Sequence, residues 1–143
     1  LRAYLEAGGA WGIGSDSHIS VSPVEELRWL EYGQRLNTRH RNIAVSPDSS
    51  SVGETLLRGV QASASRSTGQ QAVADYVVLD TDAPVFAGMR PHDVVDRWVF
   101  SGNRNAVREV HVGGQRVVAE GRHRDHEAIS RRYRQTVAAL LSD

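Results

Sequence analysis

The sequence predicts an α/β fold of the barrel kind, and three observations carry that expectation. Ala10-Trp11-Gly12-Ile13-Gly14 is a short apolar segment that reads as a buried strand. It runs into the polar loop Ser15-Asp16-Ser17-His18, and Ser22-Pro23-Val24-Glu25 then opens a helix. α/β barrels place their catalytic groups at the C-terminal ends of parallel strands, just ahead of the following helix. Beyond Gly69 the hydrophobic pattern turns from helical to β, and the chain closes on an amphipathic helix. Asp16 is therefore the candidate metal ligand and the candidate catalytic proton carrier.

The first residues, Leu1 to Gly9, have the spacing of the last turns of a helix, with Leu1 and Leu5 on one face and Gly8-Gly9 as its C-cap. The helix after Asp16 has the fullest set of signals. Ser22 is its N-cap, Pro23 sits at the first helical position, and Glu25 completes a capping box. Trp29, Tyr32, Gly33 and Leu36 recur at i, i+3, i+4 and i+7, with Leu27 and Leu30 widening the apolar stripe. The helix ends over residues 39–42. A turn-rich loop at 46–51 leads to a second helix, expected from Gly53 to about Ser65, with Leu56, Leu57, Val60 and Ala64 apolar.

Tyr76-Val77-Val78-Leu79 is a strand, and residues 94–100 and 107–112 are further strand candidates. Gly113-Gly114 joins the last of these to Gln115-Arg116-Val117-Val118 in a hairpin, since both turn positions take positive φ without cost. A helix from about His126 to Leu141 ends the chain, with Ile129, Tyr133, Val137, Leu140 and Leu141 in one stripe and arginines on the other face.

At 143 residues, 40% hydrophobic and with a formal charge of +0, the chain is long enough for an ordinary globular core. No apolar run reaches the length of a bilayer span and no basic-then-apolar leader opens it, so the expectation is a cytoplasmic protein with no membrane partner. Cysteine is absent, which removes disulfides, thiolate metal sites and thiol nucleophiles from this chain. Lysine is absent too, all 17 basic side chains being arginine, which removes Schiff-base chemistry. Met89 is the one methionine and the chain opens on Leu1, in what reads as mid-helix; the expectation is the C-terminal portion of a longer protein.

Gly14-Ser15-Asp16-Ser17, the helix Val24-Glu25-Glu26-Leu27-Arg28-Trp29-Leu30-Glu31-Tyr32-Gly33-Gln34-Arg35-Leu36 and the stretch Ala74-Asp75-Tyr76-Val77-Val78-Leu79-Asp80 together resemble the amidohydrolase superfamily. Within it the likeness is to the formimidoylglutamate deiminases, and the Glu-Glu-Leu-Arg-x-Leu-Glu-Tyr helix behind the Ser-Asp-Ser turn is its specific part. The run from Val110 to His123 supports the superfamily alone. The resemblance implies the end of a (β/α)8 barrel at residues 1–66, part of a small β-sandwich at 67–121 and a terminal helix at 122–143. It also implies a single divalent metal, usually zinc, held by histidines from earlier strands and by Asp16, which takes the proton of the metal-bound water. The implied enzyme is a homo-oligomer that hydrolyses a carbon–nitrogen bond of a small-molecule substrate. Residues 66–75 are shorter than the family's Gly-x-Leu-x-x-Gly-x-x-Ala-Asp segment, and the metal-binding histidines have no counterpart here. The isolated chain is expected to be inactive. The rival readings are an amidohydrolase of aminated heterocycles, or an inert fragment.

Other residues invite plainer readings. Ser17 orients the loop, and His18 is either a solvated loop residue or faces the pocket mouth. His123-x-x-His126 beside Asp125 has the look of a metal pair, yet it lies at a polar junction after the hairpin and is expected to be solvated. His40, His92 and His111 have no partner at ligand spacing. Glu25 and Glu26 suit the first helical turn through capping and the helix dipole. Arg122, Arg124, Arg131, Arg132 and Arg134 are interspersed with Glu120, Asp125 and Glu127, which makes a solvated face rather than a nucleic-acid patch.

Overall fold

Serine hydroxyls set where the two long helices begin. In the computed structural model, which describes residues 1–69 and 75–142, Ser22 Oγ accepts the backbone N–H of Glu25 at 3.3 Å to start α2 (Pro23–Thr38). Ser51 Oγ accepts that of Glu54 at 3.0 Å to start α3 (Val52–Thr68). Each satisfies one of the orphan donors of a first helical turn. Ahead of them, α1 (Arg2–Glu6) ends as expected on the glycine pair. Gly8 takes φ +70, and the Gly8 and Gly9 N–H groups return to Leu5 and Tyr4 carbonyls at 2.9 Å each, a Schellman closure.

The described residues fall into two units. The first comprises Leu1–Gln71 and Thr81–Arg104, the second Ala72–Asp80 and Asn105–Asp143. The core of the first is Leu27, Ala44, Val52, Leu56 and Val99, with Leu1, Leu5, Trp11, Ile13 and Leu30 packed against it. Gly59 on α3 permits a close approach there: a Cβ at that position would lie 2.6 Å from the Trp11 ring.

Three sequence expectations change in this unit. Residues 94–100 form a helix, α4 (Val94–Phe100), and not a strand. Val94, Val95, Trp98 and Val99 lie at i, i+1, i+4 and i+5, and Val99 is fully buried in the core. Tertiary packing of that face overrides the β preference of three valines. The helix is also tied at both ends. Asp96 Oδ1 accepts the Gly53 N–H at the start of α3 (2.7 Å), and Arg28 donates to the carbonyls of Val99 (2.7 Å) and Gly102 (2.5 Å).

Second, the buried face of α2 is not the Trp29–Leu36 stripe. Trp29 and Leu36 are 51% and 77% exposed, while Leu27 and Glu31 are buried. Glu31 occupies a core position because its carboxylate is fully used. It accepts the N–H groups of Ile43 (3.1 Å) and Ala44 (2.9 Å) and the Arg35 guanidinium (2.8 Å). Third, Glu25 closes no capping box; its carboxylate accepts from the Ser20 hydroxyl and the Trp29 indole instead.

The second unit is a four-stranded antiparallel sheet in the order β1 (Tyr76–Leu79), β2 (Val107–Val112), β3 (Gln115–Ala119), β4 (Arg122–His123). Tyr76 pairs with His111, Val77 with Val110 and Val78 with Glu109. Gly113 and Gly114 take φ +56 and +77, as a two-residue hairpin between right-twisted strands requires. β4 is an addition to the sequence reading, reached through a second tight turn in which Glu120 and Gly121 also have positive φ.

α5 (His126–Leu140) forms where expected, but its apolar stripe is uncovered. Ile129, Tyr133, Leu140 and Leu141 are 56%, 69%, 73% and 79% exposed. No helix among the described residues is long and apolar enough to cross a membrane. With Trp29, Leu36 and the α5 stripe open to water, the 143-residue chain by itself is expected to self-associate. Light scattering that returns a monomer mass across a concentration series would refute this.

Candidate active site

Residues 10–15 link α1 to α2 in an extended path on which Trp11, Ile13 and Ser15 turn inward and Gly12 and Gly14 face out. The alternation is that of a strand, and the Trp11 N–H donates to Ser63 Oγ on α3 at 3.2 Å. No β-ladder pairs this segment among the described residues, where the sequence reading expects a buried strand. A strand takes its identity from its neighbours' hydrogen bonds, and alternation alone does not provide them.

The connector ends in a tight turn. The His18 N–H donates to the Ser15 carbonyl at 2.5 Å, and Asp16 at the apex has φ +39. Aspartate is among the few non-glycine residues that visit this left-handed region readily. The Asp16 side chain is exposed, and its carboxylate has no hydrogen-bond partner among the described residues. It is neither sealed in the core nor spent as a helix cap, since Ser22 is the cap of α2. Such a group is free to accept a proton or to ligate a cation.

Two carboxylates of the first turn of α2 tie down the loop behind it. His18 Nδ1 donates to Glu26 Oε1 at 2.7 Å, and the His18 ring lies 6.4 Å from that of Trp29. Glu25 receives the Ser20 hydroxyl and, at 3.4 Å, Trp29 Nε1. The Ser20 bond, reinforced by Trp29 and by the charges of Arg28 and His18, holds the Glu25 carboxyl below its usual range against the opposing effect of desolvation. A carboxyl lowered in this way stabilises the fold above its unfolded pKa, and the contribution disappears as pH falls through the lowered value. Acidification into and below the ordinary carboxylate range is thus expected to release Ser20. The Trp29 indole N–H resonance should shift with that titration, and should not do so in Glu25→Gln.

His18 is thus bonded within the loop while its side chain stays half exposed to solvent. The sequence offered one signal for this, an acidic residue in the first turn of the helix that follows. Ser17 shares the Asp16 turn. Of the remaining histidines, His40, His92, His111 and His123 have local partners, and His126 is exposed. His123 Nδ1 accepts the Asp125 N–H at 3.1 Å, which makes the His123–Asp125–His126 group a turn into α5. His111 Nε2 donates to Glu109 at 2.9 Å and the ring stacks on Tyr76 with centroids 4.4 Å apart. Their positions at i and i+2 of one strand put Glu109 and His111 on one sheet face, a pairing that ligand-spacing arguments pass over. His92 lies 3.2 Å from Asp93, and His40 donates to the Thr38 carbonyl at 2.6 Å. The arginines of residues 122–134 are exposed, with Arg122 paired to Glu127 and Arg124 near Asp125.

Among the described residues no group of three or more histidine, cysteine, aspartate or glutamate side chains could hold a metal ion. The donor chemistry of Asp16, a hard and unpaired carboxylate, fits one ligand of a divalent cation and no more.

No protein-family model matches the chain. Over 145 aligned positions, 96% of its length, it is 43% identical to the formimidoylglutamate deiminase of Pseudomonas aeruginosa, of which it covers 32%. Its fold matches the crystal structure of an amidohydrolase from Brucella melitensis with a TM-score of 0.88 and 34% identity, over 99% of this chain and 32% of that one. The chain spans about a third of the length of both relatives.

Proposed function

The chain belongs to the amidohydrolase superfamily, and from that premise we propose that it is the C-terminal part of an enzyme hydrolysing N-formimidoyl-L-glutamate to N-formyl-L-glutamate and ammonia. The observation that carries the reading is 43% identity to a formimidoylglutamate deiminase along nearly the whole chain. The free, exposed carboxylate of Asp16 at a tied turn supplies the chemistry.

In this reading residues 1–66 close the (β/α)8 barrel, residues 67–121 contribute to the small β-sandwich and residues 122–143 form the terminal helix. Asp16 would provide one ligand to a divalent metal, taken as zinc, and the other ligands would come from parts of the protein outside this chain. When bound, the metal brings the pKa of a water towards neutrality. With the metal in place, the Asp16 carboxylate would accept the proton of the attacking water and would return one to the departing nitrogen. One water is consumed, the carbon–nitrogen bond breaks and ammonia leaves, so the atoms balance. The reading extends to a cytoplasmic homo-oligomer acting in histidine degradation.

Ammonia release by the full-length protein, loaded with zinc and offered N-formimidoyl-L-glutamate, guanine or an aminated triazine, tests the proposal. Turnover of the first is the expected result. Turnover of a heterocycle alone would reassign the substrate.

A further inference from the structure

We infer that His18 and Glu26 act as a positioning pair that holds Asp16 in its working orientation, an inference that rests on the metal-dependent hydrolase reading above. The geometry is local and continuous. Asp16 stands at the apex of a turn with positive φ, a region that aspartate enters more readily than most side-chain-bearing residues. The turn is closed on one side by the backbone bond from His18 to the Ser15 carbonyl, so His18 is itself the far post of the turn. Its ring is fixed in turn by the 2.7 Å bond to Glu26, whose side chain is only 13% exposed, on the first turn of α2. α2 is anchored to the core through Leu27, the next residue along. A rigid helix thus reaches Asp16 through one carboxylate, one imidazole and one turn.

Among the described residues the bond to Glu26 is the one side-chain hydrogen bond that ties residues 15–18 to α2, with the Trp29 ring 6.4 Å from that of His18. Ser20 and Glu25 fasten the loop further on and make no bond to the turn at 15–18. Ile19 and Val21, between the two fastenings, are 102% and 87% exposed and do nothing to bury the loop. His18 touches no group that reacts; it works by limiting where the Asp16 carboxylate points. A ligand misplaced by about 1 Å can cost on the order of 100-fold in rate, and loss of an outer partner costs about 10- to 100-fold in metal affinity.

The test uses the full-length protein and the variants His18→Ala, His18→Asn, Glu26→Ala and His18→Ala/Glu26→Ala. Zinc affinity is read by competition with a chromophoric chelator, alongside kcat, KM and the melting temperature. His18→Ala is expected to weaken zinc and lower kcat by about 10-fold each, with KM nearly constant. The melting temperature should hold, because His18 is half exposed. His18→Asn, whose side-chain amide can take the place of Nδ1–H, should restore most of both. The double variant should be no worse than either single one, because both changes break the same bond. An active wild type with unchanged zinc affinity and kcat in His18→Ala overturns the inference. Additive losses overturn it as well, since His18 would then be acting on substrate directly. A wild type that neither binds zinc nor hydrolyses an amidine removes the underlying reading, and the inference with it, and that outcome is distinct from the other two.

Discussion

Glu31→Ala is expected to lower the unfolding free energy by about 3–5 kcal/mol, the largest effect of any single side chain outside the apolar core. Glu31 is fully buried and its two oxygens serve three donors, the Ile43 and Ala44 N–H groups and the Arg35 guanidinium. Removing the carboxylate leaves two backbone donors without partners at the point where the loop after α2 turns towards α3. It also leaves Arg35, 28% exposed, short of its counter-charge. Glu31→Gln keeps one acceptor oxygen but turns an NH2 group towards a backbone N–H, so it should still cost about 1–3 kcal/mol. Urea titration with a shared m-value is the measurement. A loss below about 1 kcal/mol in Glu31→Ala would mean that water reaches these amides and that the carboxylate is not what holds the loop.

On the function proposed above, Asp16→Asn in the full-length protein is expected to have the largest functional effect, a fall in kcat of about 100- to 10,000-fold. The substitution nearly preserves volume, and asparagine accepts the left-handed φ of the turn at least as readily as aspartate. The residue is exposed and supports no part of the fold through its side chain, so the melting temperature should stay where it is. What changes is basicity: an amide cannot take up a proton in the working pH range and is a poor ligand for a hard cation. Wild-type turnover in Asp16→Asn would strip the aspartate of any part in proton transfer.

Much of the local structure was legible because it is enforced locally. Ser22-Pro23 starts α2 with groups that the first turn needs whatever surrounds it, and the Gly113-Gly114 pair closes its hairpin by backbone freedom alone. The apolar positions of residues 94–100 suit either period, and only the burial of Val99 against the core decides for a helix. The buried face of α2 was misread for a related reason. Hydrophobic periodicity treats a glutamate as an outward-facing residue, and nothing in the residues around Glu31 says that two amides 12 and 13 positions later will pay for its burial.

The candidate site divides along the same line. Asp16 stands out as a candidate in the sequence because a carboxylate between an apolar segment and a capped helix is a pattern within a few residues. Its exposure, its positive φ and the tether from His18 to Glu26 are distances and dihedral angles, settled only once α2 is docked on its core. Capping, turn chemistry and the acid itself depend on neighbours within a helical turn, so the order of residues determined them. Which face of a helix is dry, and whether an extended segment finds a ladder, depend on surfaces far apart along the chain, and those only the tertiary structure could decide.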